Sequence, residues 1–365
     1  MCNYKRLLAL ILTIGIPFIL YSQENENKYT YSAGGNIFKG FIYRHTKSIG
    51  HLITEHPTGF ELYAYKSTYG DREWQSLYNY PDIGVSLVMV NYHNPELGKS
   101  IATLIYNDIY LTSHSKSNHL KLKIGGGLAY HTKHYDEYTN PRNNILSTDF
   151  TYALQMRLEY GVALNKWKLT SALTLNHFSN GSIKKPNKGV NVPSVSLGIS
   201  RQISDYKLEY QNPDPVPFDR NIHANINLAT GFTSTDIARD KIFMSYNLSF
   251  YIDKRISRRS IVNAGVDFFA NYAVKEFIKY DFKIDGPVPD FKRIGLVAGH
   301  EFFMGRTAVL IQMGYYVYRP YKYDSLLYQR YGLKYFISDR YFTSIYLKAH
   351  NGNAEMAEWA LGIRL

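Results

Sequence analysis

The chain has 365 residues, a formal net charge of +12 and a single cysteine, Cys2. Its lysines and arginines are scattered through alternating segments, which excludes a basic run of the kind that binds nucleic acid. Cys2 lies within a predicted cleaved segment, so the mature chain lacks a thiol for disulfides, thiolate metal sites or a cysteine nucleophile. The 34 tyrosines suit a membrane–water boundary, because the ring is apolar and its tip is polar.

Residues 1–22 have the pattern of an export signal. Lys5 and Arg6 precede the apolar run Leu7–Leu20, which is short for a membrane span. We predict cleavage near Ser22, and a retained N-terminal anchor is the alternative interpretation.

Segments that alternate between polar and apolar residues recur along the rest of the chain. A polar lead-in, Gln23–Gly35, precedes roughly sixteen of them, and the last is Glu355–Leu365. No later apolar run is long enough for a transmembrane helix. The predicted fold class is all-β, a transmembrane antiparallel β-barrel of about 12–16 strands, with about 14 as the central value. A soluble β-sandwich is the alternative.

We expect one closed barrel over residues 23–365, with the terminal strand pairing with an early one so that no edge stays open. Gln211–Asp219 contains three prolines and could separate two halves, but one closed sheet is simpler. The turn at Asn165-Lys166 is short, whereas Asn180–Val190 is long. Because outer loops of such barrels are the longer ones, the strand that ends before Asn180 should end at the outer rim.

The hairpin 166–203 carries the polar residues of interest. On its first strand the apolar face that starts at Trp167 ends in His177 and Ser179, which are two residues apart and point to the same side. On the second strand the apolar face starts at Asn191. We therefore predict that these three side chains meet on the lipid-facing wall near the outer rim.

The three residue types suit nucleophilic catalysis. A histidine within reach of a serine hydroxyl can act as its base, and an amide can orient the histidine. A His-x-Ser pair often arises by chance, but polar side chains that face lipid are costly without partners. The candidate catalytic residues are therefore His177, Ser179 and Asn191.

The pattern extends beyond these residues. His177-Phe-Ser179-Asn180-Gly181 is followed by Pro186-Asn187-x-Gly189-x-Asn191, and over about fifteen residues this resembles the outer-membrane lipid A 3-O-deacylases, or acyloxyacyl hydrolases. The resemblance implies a serine esterase of the Gram-negative outer membrane that removes an ester-linked acyl chain from lipid A or a related acylated glycolipid. It also implies Asn180 and the backbone N–H of Gly181 as oxyanion donors.

The chain departs from the best-known members of that family in two respects. They carry glutamate where this chain has Asn191, and an amide cannot stabilise an imidazolium with a full charge. Glu358 is a poor substitute, because alternation places it opposite the apolar face of its strand, and Asp149 has no predicted position. Those members also form eight-stranded barrels, whereas the second half of this chain exceeds that core.

Lys184, Lys185 and Lys188 lie in the loop that follows Ser179. They are candidate ligands for the phosphates of an anionic glycolipid, and a merely solvated basic loop is the alternative.

No metal or other cofactor is predicted. The histidine pairs His131 with His134 and His51 with His56 have no carboxylate at convincing ligand spacing, and solvated loop histidines are the simpler interpretation. A noncatalytic porin-like or structural outer-membrane barrel is the alternative function. The sequence leaves open whether the chain forms homo-oligomers.

Overall fold

The computed structural model describes residues 29–114, 116–206, 208–215, 217–236 and 241–365. The predicted signal, residues 1–22, lies outside this part of the chain. The described chain is all-β, with sixteen antiparallel strands in two closed barrels of eight. The predicted antiparallel barrel class and strand range are confirmed, but the expectation of one closed sheet is wrong.

The first barrel contains, in chain order, β1 Thr30–Gly40, β2 Thr58–Ser67, β3 Asp82–Asn91, β4 Lys99–Tyr110, β5 Asn118–His131, β6 Phe150–Leu164, β7 Trp167–Ser179 and β8 Val190–Gln202. The second contains β9 Ile222–Ser234, β10 Ile242–Ser257, β11 Ser260–Asn271, β12 Lys292–Met304, β13 Thr307–Tyr318, β14 Leu327–Phe336, β15 Tyr341–His350 and β16 Asn353–Arg364.

Within the described ranges, three short helices lie in the connections between strands. They are a 3-10 helix, Lys47–Leu52, and the α-helices α1, Glu73–Leu77, and α2, Tyr272–Lys279. No helix in the described ranges has both the length and the apolar character needed to cross a membrane.

Two barrels form because the last strand of each half of the chain pairs with the first strand of the same half. β8 pairs with β1, and β16 pairs with β9 rather than with a strand of the first half. The connection between β8 and β9 contains Pro213, Pro215 and Pro217, which have no N–H to extend a ladder. Part of the predicted polar lead-in is also regular structure, since β1 starts at Thr30.

Each barrel has an apolar outer wall and an interior in which buried polar and charged side chains lie beside apolar clusters. Large apolar side chains that are more than half exposed cover the outer walls; they include Ile37, Leu62, Ile105, Leu173, Leu197, Leu228, Leu296, Leu333 and Leu361. An eight-stranded barrel is just wide enough for side chains to fill. In the first barrel Lys123 Nζ lies 2.5 Å from Glu61 Oε1, and Arg157 pairs with the same carboxylate. In the second, Arg330 Nη2 lies 2.8 Å from Glu358 Oε2. These charged side chains are buried and paired.

The barrels contact each other at both ends. We call the end where β7 stops and β8 starts the site rim, and the other end the opposite rim. At the site rim the backbone N–H of Ser234 donates to the carbonyl oxygen of Ser182 across 3.3 Å. At the opposite rim Arg258 Nε lies 2.9 Å from Glu73 Oε1. The second barrel therefore lies beside the first and touches the connection between β7 and β8.

Candidate active site

β7 and β8 bring the predicted residues together. His177 and Asn191 are direct cross-strand partners, and Ser179 faces Tyr152 on β6. His177 and Ser179 lie on the outer face, as predicted from the alternation. Phe178, between them, points inward and is 1 % exposed, so the strand end is anchored in the first barrel's core.

His177 and Asn191 form the central hydrogen bond of the site. His177 Nδ1 lies 2.7 Å from Asn191 Oδ1. Because an amide oxygen only accepts, the ring donates from Nδ1, and Nε2 of the neutral ring is left as a proton acceptor.

His45, in the connection between β1 and β2, fixes the orientation of the Asn191 amide. Asn191 Nδ2 lies 3.4 Å from His45 Nδ1, and His45 Nε2 lies 2.9 Å from the carbonyl oxygen of Lys188. A ring that donates from Nε2 to the carbonyl can accept from the amide at Nδ1. The Tyr43 carbonyl oxygen, 3.3 Å from the same Nδ1, can accept only from a ring that is protonated at Nδ1. In the tautomer protonated at Nε2, the amide nitrogen therefore faces His45 and the amide oxygen faces His177.

Ser179 lies beside two hydrogen-bond donors. Asn187 Nδ2 lies 2.9 Å from Ser179 Oγ, and the backbone nitrogen of Gly181 lies 3.2 Å from it. His177 and Ser179 lie in the described part of the chain, and no hydrogen bond joins their side chains. Catalytic hydrogen bonds are often long without substrate and tighten in the complex, so this geometry is compatible with a nucleophile and base pair.

The connection between β7 and β8, residues 180–189, is called the site loop. The side-chain amide nitrogen of Asn180 is buried inside it, where it donates to Ser147 Oγ at 3.0 Å and to the carbonyl oxygen of Lys184 at 2.9 Å. The side-chain nitrogen of Asn180 therefore has Ser147 and Lys184 as its partners, and the oxyanion role of Asn180 stays a prediction. Its backbone N–H instead lies 3.4 Å from Asn187 Oδ1 and helps to place that side chain.

The three predicted phosphate ligands lie in the site loop. Lys184 and Lys185 are half-buried and Lys188 is exposed. Their backbone groups tie the loop to its surroundings, because the N–H of Lys188 donates to the carbonyl oxygen of Asn144 across 3.2 Å.

Neither alternative acid reaches His177. Asp149 pairs with His134, its Oδ1 lying 2.9 Å from Nδ1 of that ring. Glu358 is 1 % exposed inside the second barrel, where it pairs with Arg330. Asn191 is therefore the group on the described chain that contacts His177 Nδ1.

The histidines weighed as metal ligands have other partners. His131 is buried rather than solvated, with Nδ1 2.7 Å from Ser100 Oγ and Nε2 2.7 Å from Thr151 Oγ1. His51 Nε2 lies 2.8 Å from the carbonyl oxygen of Arg142. His56 contacts a different group, because its Nδ1 lies 3.2 Å from the carbonyl oxygen of Gly40.

A different cluster in the second barrel has metal-ligand chemistry. One potential ligand atom from each of Asp324, His350 and Glu355 lies within 4.8 Å of the others. Arg293 Nη1 lies 2.8 Å from the Asp324 carboxylate and Lys348 Nζ lies 2.9 Å from that of Glu355. Two cations already compensate these carboxylates, so the cluster is best described as an ion-pair network.

Sequence reasoning missed two residues of the site. Asn187 belongs to the motif, but the sequence assigns it no role. It lies eight residues after Ser179, and the period of a strand does not link the two positions. His45 is 146 residues before Asn191 and reaches it only because β1 pairs with β8. A pattern confined to one hairpin cannot signal either contact.

The outer wall of the first barrel thus presents a serine, a histidine and an amide that contacts the histidine, which are residue types that nucleophilic catalysis uses. Residues 58–200 match the family model described as lipid A 3-O-deacylase (PagL). Residues 222–365 match the model described as acyloxyacyl hydrolase, C-terminal domain. The chain therefore belongs to the lipid A 3-O-deacylase family, a family of ester hydrolases. The first matched region runs from β2 into β8 of the first barrel, and the second contains the whole second barrel.

Comparison with solved structures gives only remote likeness. The Acinetobacter baumannii outer membrane protein Omp33 aligns over 92% of this chain and 98% of its own, at 9% identity and a TM-score of 0.18. A triple mutant of the Rhodopseudomonas blastica porin aligns over 92% of this chain and 100% of its own, at 7% identity and a TM-score of 0.17. At such TM-scores the alignments carry no argument. No curated protein matches the chain.

Proposed function

We propose that the protein is a serine esterase of the Gram-negative outer membrane that removes an ester-linked acyl chain from lipid A or a related glycolipid. The observation that carries the proposal is the group His177, Ser179 and Asn191 on the outer wall, with two donors on the serine oxygen. That wall is apolar, so the acyl chain of a lipid can stay in the membrane while its ester reaches Ser179.

The chemistry follows from the contacts of each side chain. His177 Nε2 takes the proton from Ser179 Oγ as that oxygen attacks the ester carbonyl carbon. The negative charge then develops on the former carbonyl oxygen, and its proposed donors are Asn187 Nδ2 and the backbone N–H of Gly181, which lie 2.9 Å and 3.2 Å from Ser179 Oγ. The bond between the carbonyl carbon and the sugar oxygen then breaks, and His177 gives the proton to that oxygen, which leaves the acyl group on Ser179.

Water completes the cycle. It gives a proton to His177 and attacks the acyl-serine carbonyl, and the same two donors stabilise the second oxyanion. Collapse of that intermediate releases a free fatty acid and restores the Ser179 hydroxyl. No cofactor is required by these steps.

Asn191 supports His177 with a neutral amide and not with a carboxylate. It fixes the tautomer and orientation of His177, but it is neutral, so the imidazolium that forms in both steps gains no charge–charge stabilisation from it. We therefore expect a slower reaction than a carboxylate at the same position would support.

The site loop is proposed to face the cell exterior, where lipid A is exposed. Lys184, Lys185 and Lys188 place three cations in this loop. An ammonium group binds a phosphate as a point charge, so these side chains suit the anionic headgroup of the substrate.

The alternative of a conducting porin is disfavoured by the barrel interiors. Glu61, Lys123 and Arg157 fill the lumen of the first barrel, and each is at most 3 % exposed. A pore would need solvated charges along an open path.

The test compares lipid A from membranes that contain the wild-type protein with lipid A from membranes that contain Ser179→Ala. Mass spectrometry should show the loss of one acyl chain only with the wild type. Ser171→Ala is the matched control, because Ser171 lies on the same outer face of β7 and is exposed. Deacylation that persists in Ser179→Ala, with equal protein levels and barrel folding, would remove Ser179 from the mechanism.

A further inference from the structure

The second barrel holds the site loop directly beside the oxyanion donors. The carbonyl oxygen of Ser182 accepts from the backbone N–H of Ser234 at 3.3 Å and from the Thr233 hydroxyl at 3.1 Å. The backbone N–H of Lys185 donates to Ser234 Oγ at 2.8 Å. Ser182, Thr233 and Ser234 are all buried, so these hydrogen bonds are shielded from water.

The residue that receives two of these bonds has an unfavourable backbone conformation. Ser182 has a φ of +73°, in the left-handed region that residues with a side chain rarely adopt. Such a conformation persists where the surrounding structure imposes it. The contacts from Thr233 and Ser234 supply that constraint at the carbonyl of the same residue.

The neighbouring residue carries one of the oxyanion donors. Gly181, with a φ of +65°, directs its N–H toward Ser179 Oγ at 3.2 Å. A Cβ placed on Gly181 would lie 3.0 Å from the Cβ of Ala357 on β16. The wall of the second barrel is thus in contact with the donor residue itself, as well as with the residue after it.

We propose that the second barrel positions the oxyanion donors of the first, with Ser234 and Thr233 as the positioning residues. The inference rests on the proposed esterase function, because it assigns these contacts a role in the same reaction. Stabilisation of an oxyanion requires donors held in place before the charge develops, and a displacement of about 1 Å can cost about a hundredfold in rate. A loop fixed at Ser182 and Lys185 keeps both Gly181 N–H and Asn187 at the serine.

The two positioning residues are unequal. The Thr233 hydroxyl has one proton and lies 3.0 Å from the carbonyl oxygen of Glu355 as well as 3.1 Å from that of Ser182. Its bond to the loop is therefore shared. Ser234 contacts the loop through both its backbone N–H and its hydroxyl oxygen, so substitution of its side chain should have the larger effect.

The experiment measures fatty acid release by the purified full-length protein in lipid A-containing vesicles. Ser234→Ala should lower kcat about tenfold to a hundredfold with KM changed less than about twofold, because the loop moves while the lipid-binding wall is unchanged. Thr233→Val should show a smaller loss in kcat, and Thr233→Ser, which keeps the hydroxyl, should restore it. Ser338→Ala is the matched control, since Ser338 is an exposed turn serine at the opposite rim of the same barrel.

Hydrogen exchange provides a readout that does not depend on catalysis. The Lys185 amide should exchange at least about tenfold faster in Ser234→Ala than in the wild type, while amides of the other outer loops are unchanged. A kcat for Ser234→Ala equal to that of the wild type overturns the positioning role and leaves the esterase intact. A wild-type protein that releases no fatty acid overturns the esterase function and the positioning role together. An unchanged exchange rate of the Lys185 amide in Ser234→Ala would show that Ser234 does not hold the site loop.

Discussion

The side-chain amide of Asn187 donates a hydrogen bond to Ser179 Oγ across 2.9 Å, although eight residues separate the two positions. The site loop turns back on itself so that a residue near its end reaches the residue before its start. Gly189, at the end of the loop, lies against both His177 and Ser179. The site loop and its contacts therefore arrange His177, Ser179 and Asn187 relative to one another.

Asn187→Ala should lower kcat about a hundredfold to a thousandfold, the usual cost of losing one oxyanion-hole donor. KM should change little, since the ester carbonyl in the ground state carries little charge. The measurement is steady-state release of fatty acid. Asn118→Ala is the control, because Asn118 is an exposed residue at the opposite rim whose amide donates to a tyrosine hydroxyl. A kcat for Asn187→Ala within about twofold of the wild type contradicts the assigned role.

Asn191→Asp should raise kcat about tenfold or more. Aspartate has nearly the same shape as asparagine, so its carboxylate can replace the amide oxygen that lies 2.7 Å from His177 Nδ1. The carboxylate then stabilises the imidazolium with a full charge. Asn191→Ala, measured in parallel, should lower kcat because His177 loses its orienting partner. Equal rates for the three proteins would show that position 191 takes no part in the reaction.

His45→Ala should lower kcat about threefold to tenfold. Without the imidazole, the Asn191 amide loses the partner of its nitrogen and can present that nitrogen to His177 instead of its oxygen. His45→Gln should recover part of the loss if its side chain can accept from the same amide. The assay is the same fatty acid release, and an effect confined to KM would point to lipid binding instead of orientation.

Gly189→Ala should lower activity more than it lowers stability. The new Cβ would lie 3.2 Å from His177 Cε1 and from the Phe178 carbonyl oxygen, at a φ of +68°. Gly352→Ala is the matched control, because its φ is +78° and nothing lies within 4 Å of the new Cβ. Both variants should lose about 1–2 kcal/mol of unfolding free energy from the left-handed conformation, measured by urea titration in vesicles. Only Gly189→Ala should also lose activity, and equal activities would contradict the proposed contact.

Glu61→Gln should destabilise the first barrel by about 3–5 kcal/mol, because Lys123 and Arg157 would keep buried charges without their shared partner. Urea unfolding in vesicles measures the effect. Asp205→Asn breaks the exposed pair with Lys166 and should leave the free energy of unfolding nearly unchanged, because water screens that pair. A Glu61→Gln protein as stable as the wild type would mean that the lumen charges are solvated.

The sequence by itself determined the class of fold and the face of the site. Alternation with a period of two is a local property, so it placed His177, Ser179 and Asn191 on one outer wall before any strand partner was known. The same period, applied to both strands of the hairpin, placed His177 and Asn191 on one face, and the structure adds that they are direct cross-strand partners.

Only the tertiary structure decided how the sheet closes and what surrounds Ser179. Closure depends on which strand edges meet, and the pairing of β8 with β1 and of β16 with β9 joins segments far apart in the chain. The contact of His45 with Asn191 depends on the first of these pairings, whereas the contact of Ser234 with the site loop depends on how the two barrels lie against each other. In each case one partner comes from outside the hairpin, so a residue pattern within that hairpin carries no information about the contact.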